Sequence, residues 1–510
     1  MHRLRRIFIF VAVYSYDDMK RSVLVLFIAL FACNKPAEEV PVVGLGADGD
    51  RANMITFYFP SSANPDIRIN CGAVRALDYW YVTVPEGTDL TKLVPEIMVS
   101  EGASVQIDGL AYNAGSAYDF SGPVQNILVT SQSGTRTVNY KICVKTGDIW
   151  IDNKIYDLMR EFAIPGLALE VMRNTEAVYS SGFGFSVLET ETRCTADHLF
   201  RLADLSRVLC TMSILTLMEE GRLKFDDCVF GENGFLKNEI HDVTPYHESI
   251  TIRHLLSCSS GLCNGLEDPC FTNSFRFYSN NATVPTDTLI QRVLKVRQQP
   301  FDDGSIVYRP GAVYHDCNLD YCILQRVVEI VSGKDYESYL KEDVLEKMDI
   351  TDTHIGGYHY ERRANECVYY GQEDTDPYEL NLRETAGALG VISSAKQLMQ
   401  ILTFMDGDDT IPDIFSYEML NDMYTPAHYT DDESHRYGLG WKMNDFSRFL
   451  GGHYNNGHMS GSAALLVGGT DNHMNGVILC NTDAYNSNYE GDFSENLMNI
   501  LRDILQHHVE

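Results

Sequence analysis

At 510 residues the chain is too long for one ordinary domain, and two or three are expected. Its apolar and charged fractions, 45% and 22%, are those of a globular protein, while 71 acidic against 40 basic residues leave a formal charge of -31. No Lys/Arg cluster occurs beyond the N-terminus, so nucleic acid is excluded as an expected partner.

The first element is membrane-directed. From Met19 the chain reads MKRSVLVLFIALFAC, a basic pair, a short apolar run and a small residue before Cys33. That is the layout of a secretory signal and not of a spanning helix. Leu30-Phe31-Ala32-Cys33 resembles a bacterial lipobox, in which the peptide is cut before the cysteine and acyl chains are added to it. Residues 1–33 are read as a signal region with Met19 as the true start and Met1 to Asp18 as an upstream extension. Lipidation at Cys33 then implies a cell-envelope protein held to a membrane, the outer membrane of a Gram-negative-type bacterium. Residues 34–52, rich in Pro, Gly and acidic side chains, read as a flexible tether.

Residues 53–147 change to short alternating apolar runs with turn residues between them: MITFYF, DYWYVTV, PEIMVS, QNILVTSQSG and RTVNYKICV. Strands at this spacing predict a small all-β sandwich. The phrasing VPEGTDLTKLVPEIMVSEGASV is similar to immunoglobulin-like modules of bacterial envelope lipoproteins, which implies a spacer or docking role. The cysteines other than Cys33 are scattered through a chain large enough to bury a core without staples. Cys258, Cys263 and Cys270 lack zinc spacing and read as buried or loop thiols, and no pairing can be deduced.

In FRLADLSRVLCTMSILTLMEE, Phe200 to Glu220, apolar residues recur at helical spacing from Leu205 (Val208, Leu209, Met212, Leu215), predicting a helix with one face in the core. Asp204 stands where an N-cap is expected. The stretch continues into EEGRLKFDDCV and ITIRHLLSCSSGL. It resembles the serine β-lactamase and penicillin-binding-protein family, in particular its class C and esterase-like branch. Further landmarks follow in the family's order: Ile164-Pro165-Gly166-Leu167, Pro310-Gly311, AGALGVISSAKQLMQIL, YGLGW and VILCN. The resemblance implies an α+β fold for residues 148–510: an antiparallel sheet flanked by helices, with a helical subdomain inserted between the Gly261 and Thr351 regions.

Gapless overlay of the family's motifs puts Asp204 at the nucleophile position and Arg207 at the position of the lysine base. The second motif, Tyr-x-Asn, falls on Asp316-Cys317-Asn318, with the tyrosine replaced. The third, Lys-Thr-Gly or His-x-Gly, falls on NNGHMSG: Asn455 takes the cationic position, Gly457 and Gly461 are the glycines, and His458 is the residue whose backbone N–H serves the family's oxyanion hole. A rival alignment makes His458 the motif histidine at the expense of an insertion. Literal matches elsewhere, Ser393-Ser394-Ala395-Lys396, Tyr278-Ser279-Asn280 and Lys145-Thr146-Gly147, run against the family's order and read as decoys, with Ser393 or Ser394 as a helix N-cap.

These substitutions matter chemically. An aspartate attacking a lactam or peptide carbonyl would form a labile anhydride, and arginine stays protonated, so Arg207 cannot be a general base. Three readings follow. The first is a non-catalytic β-lactamase-like domain that binds a peptide, glycan or protein in its old cleft, with no cofactor and no metal. In it Asp204 and Arg207, three residues apart, form an ion pair and Asp204 stays ionised. The second is a hydrolase of altered chemistry, with Asp204, Asp316, Asn318 and His315 or His458 as metal ligands. The third is an ordinary serine hydrolase of the β-lactamase, D-Ala-D-Ala carboxypeptidase or esterase type, for which Ser206 is the nearest nucleophile, although position 209 is Leu and supplies no base.

Overall fold

The computed structural model describes residues 50–507 apart from 264–267, 277–282, 299–300, 303–306, 372–375, 408–409, 432–435, 444–451, 470–472 and 484–492. Cys33, the signal region and most of the tether, like Tyr278-Ser279-Asn280, lie outside the described residues. Among the described residues no helix is long and apolar enough to cross a membrane.

The N-terminal part is β-rich. Strands β1 (Met54–Phe59), β2 (Tyr79–Val84), β3 (Glu96–Val99), β4 (Ser104–Ile107), β5 (Gln125–Thr130) and β6 (Thr137–Thr146) form two facing sheets, of three and six strands when short edge pieces are counted. Residues of β5 alternate between buried and half-buried along the strand, the signature of a sheet with one face on the core. Phe57, Phe59 and Phe120 fill that core edge-to-face, with ring centroids 5.0 to 5.8 Å apart. Each such pair contributes about 0.5–1.5 kcal/mol beyond its burial. β2 and β6 pair in parallel, so Tyr79, Tyr81 and Cys143 share the outer face of the larger sheet.

That outer face is not solvent. Helix α1 (Ile149–Phe162), capped by the Asp148 carboxylate, lies directly against it. Tyr81 stacks on Tyr156 at 4.8 Å, and Tyr79 meets Phe185 at 4.5 Å. Beneath them Asp152, with no exposed surface, accepts from Thr83 Oγ1 at 2.7 Å, pairs with Lys145 Nζ at 3.0 Å and bonds Tyr179 Oη. Lys145, the cation of the literal Lys-Thr-Gly, is therefore a junction residue. Thr83→Val should lower stability by about 1.5–2 kcal/mol, because it removes one hydrogen bond to a buried carboxylate. A urea midpoint unchanged by the substitution would show that the junction carries no stability.

Residues beyond α1 build an antiparallel seven-stranded sheet. Its order is Thr192–Arg193, β8 (Glu176–Val187), β7 (Gly166–Arg173), β12 (Met474–Cys480), β11 (Ser462–Gly468), β10 (His453–Met459) and β9 (Lys442–Met443). All seven residues of β11 and of β12 are buried, because helices cover both faces. Helices α1 and α6 (Phe493–His507) pack on one face. On the other lie α2 (Ser206–Glu219) and α5 (Ala395–Leu402), whose N-cap Ser394 accepts from Gln397 N–H. Helices α3 (Thr286–Val296) and α4 (Asn318–Ser332) belong to the expected helical insertion.

The predicted one-sided burial of the Leu205 helix needs correcting. Every residue of α2 from Ser206 to Leu217 is buried, because α4 and the Ala386–Gly390 and Leu340–Val344 turns close around its polar side. Small hydroxyls make this possible: Ser213 and Thr216 return their donors to the carbonyls of Leu209 and Met212.

Candidate functional site

Chain direction into α2 decides where the side chains point. After the short strand Phe200–Arg201, Ala203 adopts a left-handed φ of 47° and Ala203–Leu205 forms a tight turn before the helix proper starts at Ser206. Such a φ is costly for a residue with a Cβ. Strand β10 passes so close that a Cβ on Gly457 would lie 2.4 Å from the Leu202 carbonyl oxygen and 2.7 Å from the Asp204 nitrogen. Glycine is required there by contact, not by φ.

Asp204 is consequently not the N-cap of α2. No side chain caps that helix, and the carboxylate points across the turn instead. Its Oδ1 accepts from Arg207 Nη2 at 2.6 Å, and its Oδ2 accepts from the backbone N–H of His458 at 3.1 Å. Arg207, 2% exposed, also donates through Nη1 to Asp316 Oδ1 at 2.5 Å and through Nη2 to Asn318 Oδ1 at 2.7 Å. One guanidinium thus joins residues more than a hundred positions apart. Asn318 is oriented in turn by Asp268, whose Oδ2 accepts from its backbone N–H at 3.0 Å and from its Nδ2 at 2.9 Å. A disulfide between Cys263 and Cys317, with 5.8 Å between Cα atoms, ties the same turn to the preceding loop. Cys263 is therefore not a free thiol, whereas Cys258 and Cys270 are buried and free.

The third motif behaves differently at its two ends. Gly457 and His458 reach the Asp204 turn, and the exposed imidazole of His458 contacts the Asp483 carbonyl through Nε2 at 3.2 Å. Asn455 is turned away from the ion pair: its Nδ2 donates to Gly440 O at 2.7 Å, where the chain packs on α2 at Arg207 and Thr211. A cation does reach the site from the neighbouring strand. Lys442 Nζ donates to Asn456 Oδ1 at 2.7 Å, and its charge acts on both Asp204 and Asp316.

Two carboxylates share this one guanidinium, and their environments push them apart. Burial drives the Asp204 carboxyl up; Arg207 pulls it back, the nearby Asp316 charge adds to the rise, and the His458 N–H and Lys442 oppose it without cancelling it. The expectation that a helix N-terminus holds this carboxyl low is corrected: Asp204 lies off that terminus, and burial raises it. Asp316 sits at the mouth, 51% exposed, and Arg207 and then Lys442 outweigh burial to hold it below the ordinary carboxylate range. Arg207 keeps its proton, with both carboxylates opposing the effect of burial. Beneath the group, burial pushes Asp320 well above that range while Ser260 Oγ donates to it at 2.6 Å.

The arrangement bears directly on the alternatives. Ser206 has no exposed surface, and its Oγ accepts from the Val391 N–H at 3.0 Å, so it is a strut between α2 and the segment behind it and not a nucleophile. A metal ion bound by Asp204, Asp316 and Asn318 would have to occupy the place of the Arg207 guanidinium. Lys396, of the literal Ser-x-x-Lys, pairs with Asp197 at 2.8 Å beside a separate polar cavity of about 370 Å³. Asp268, Asp320 in the first turn of α4, and the Cys263–Cys317 bond escaped the sequence reading, and none of them carries a spacing pattern. Lys442 had a usable signal, being the residue directly after Tyr437-Gly438-Leu439-Gly440-Trp441.

Comparison with known proteins covers most of the chain. Residues 151–495 match the Beta-lactamase family model, and residues 80–144 match the model described as SGBP, N-terminal. The chain is 26% identical over 296 residues to "Putative penicillin-binding protein PbpX" of Bacillus subtilis (strain 168), covering 57% of this chain and 65% of the relative. It is 20% identical over 316 residues to "Protein flp" of Staphylococcus aureus (strain COL), covering 59% of each. The chain thus spans less than two thirds of the length of either relative. Among solved structures, an octameric penicillin-binding protein homologue from Pyrococcus abyssi is similar with a TM-score of 0.55 and 21% identity, over 70% of this chain and 77% of that one. A class C beta-lactamase is similar with a TM-score of 0.54 and 14% identity, over 70% of this chain and 94% of that one. At these identities the likeness shows a shared fold.

Proposed function

Because the chain belongs to the beta-lactamase family, we propose that it keeps the family's fold as a binding cleft and carries out no acyl transfer there. The observation that supports this reading is the Arg207 guanidinium at the base position, bonded to Asp204, Asp316 and Asn318 together. A base must give up its proton to accept another, and this one cannot. Asp204 Oδ2 also occupies the His458 N–H, the donor that the family resemblance assigns to a substrate oxyanion. The ligand is a peptide, glycan or protein of the cell envelope. The match of residues 80–144 to SGBP, N-terminal, supports a binding role. An anchor on Cys33 puts the molecule at the membrane surface, and mass spectrometry of the mature N-terminus should find that cysteine acylated; an unmodified N-terminus at another residue would remove the anchor.

Loss of nucleophile or base in a serine hydrolase costs on the order of 10⁶-fold in rate, and here both positions are changed. Wild-type protein should therefore leave nitrocefin intact and take no covalent label from a fluorescent penicillin. Asp204→Ser should not restore either activity, because Arg207 remains in place of a base. A labelled serine in the wild type, or nitrocefin hydrolysis that Asp204→Ala abolishes, would overturn the proposal.

A further inference from the structure

Asp268, which orients Asn318 at the cleft, lies between two cysteines that each meet a cysteine at or on α4. Asp268 is followed by Cys270 and Phe271, which line a cavity of about 180 Å³ together with Pro377, Leu380, Met459 and Ser460. On one side Cys263 is bonded covalently to Cys317 at the start of α4. On the other Cys270 Sγ lies 3.6 Å from Cys322 Sγ, one turn and a half further along the same helix. Both thiols are fully buried. Two cysteine pairs therefore meet at the same helix in the same order, on either side of the Asp268 carboxylate that orients Asn318.

We propose that Cys270 and Cys322 form a second disulfide when the chain folds in an oxidising compartment, and that the two bonds together pin the chain on either side of Asp268 to α4. The oxidant is an external disulfide, either a low-molecular-weight one or that of a thiol–disulfide oxidoreductase. One cysteine thiolate attacks it and releases a thiol, forming a mixed disulfide; the second thiolate displaces the other thiol and closes the Cys270–Cys322 bond. Two protons and two electrons leave the pair, and the donor is reduced to two thiols. Because neither sulfur is exposed in the folded protein, the bond forms during folding, before Cys270 is buried against α4. Contact between the sulfurs must tighten from 3.6 Å to about 2.05 Å. That shift draws Cys270, and with it the cavity wall at Phe271, toward the helix.

The test is independent of where the protein resides in the cell. Full-length protein is unfolded, reduced, refolded in a glutathione redox buffer, and blocked with iodoacetamide under denaturing, non-reducing conditions. Peptides bearing Cys270 and Cys322 should be recovered joined, lighter by two hydrogens than their sum, alongside joined Cys263 and Cys317. Recovery of Cys270 and Cys322 as separately alkylated peptides while Cys263–Cys317 is joined would overturn the proposal, and so would joining of either to a different cysteine. Cys270→Ala and Cys322→Ala separate a bond from ordinary packing. In oxidised protein each single variant should lower the urea midpoint as much as the double variant, and reductant, which opens Cys263–Cys317 in all of them, should abolish the difference between wild type and variants. Additive losses that reductant leaves unchanged would show two independent buried thiols.

Discussion

Replacing Arg207 with methionine should lower the stability of the fold by about 3–4 kcal/mol, a large share of what a domain possesses. The guanidinium has three acceptors, and its removal leaves Asp204 without its cation in a largely buried turn and Asn318 without its donor. Asp316 contributes less to the loss, since at 51% exposure it can turn to water. Adding Asp204→Asn to Arg207→Met should recover at least half of the loss, because the carboxyl left without its cation is then gone. Urea denaturation of the two variants and the wild type measures this coupling directly. A loss below about 1 kcal/mol for Arg207→Met, or no recovery in the double variant, would show that the group is solvated and not a structural element.

Acid should be at least as damaging, through a residue outside the candidate site. His453 is buried on β10, stacked on Tyr424 with centroids 3.8 Å apart and meeting the Trp441 edge at 4.5 Å. Burial lowers its pKa to about 3. In the unfolded chain the imidazole titrates near 6.5. Between these values the unfolded state binds a proton that the folded state refuses, so the contribution is complete above pH about 6.5 and is lost as pH falls toward 3. The slope is about 1.4 kcal/mol per pH unit and the full loss about 4–5 kcal/mol. Other groups titrate in the same window, so the informative quantity is the difference from His453→Gln. That variant should be less stable at neutral pH yet approach the wild type as the pH falls to 4. Parallel stability curves for the two proteins would refute the assignment.

Sequence pattern carried the architecture a long way, for reasons particular residues make plain. Apolar spacing from Leu205 to Leu215 marked the central helix because an α-helix repeats its faces regularly. It could not show that α2 is buried on all sides, because Ser213 and Thr216 look polar until their hydroxyls are seen turned back on the helix. Motif order put Asp204, Arg207, Asp316 and Asn318 together before any coordinates. The misreadings are local. Asp204 resembled an N-cap because the left-handed turn at Ala203, imposed by the close passage of Gly457, has no sequence signature. Asn455 was aligned to a position facing the cleft, yet its amide is held by the Gly440 carbonyl. Lys442 supplies a charge from a strand too short to be recognised by alternation, and the Cys263–Cys317 pairing spans 54 residues without a spacing rule.

The Asp204–Arg207–Asp316 charges also constrain how this site can change one residue at a time. Consider single substitutions leading from it toward a serine and a lysine. Changing Asp204 first deprives the buried Arg207 of one carboxylate; changing Arg207 first strands Asp204; changing Asp316 first removes the partner that Arg207 shares at the mouth of the cleft. The Arg207 step takes the cation from Asp204, and either carboxylate step leaves the buried guanidinium with one carboxylate where it had two, so each is opposed on folding before any new chemistry can be tested. The interlocked pairing therefore acts as a ratchet: what the cleft holds can change more freely than the charges that close it, and single steps toward an acylating serine meet a folding cost first.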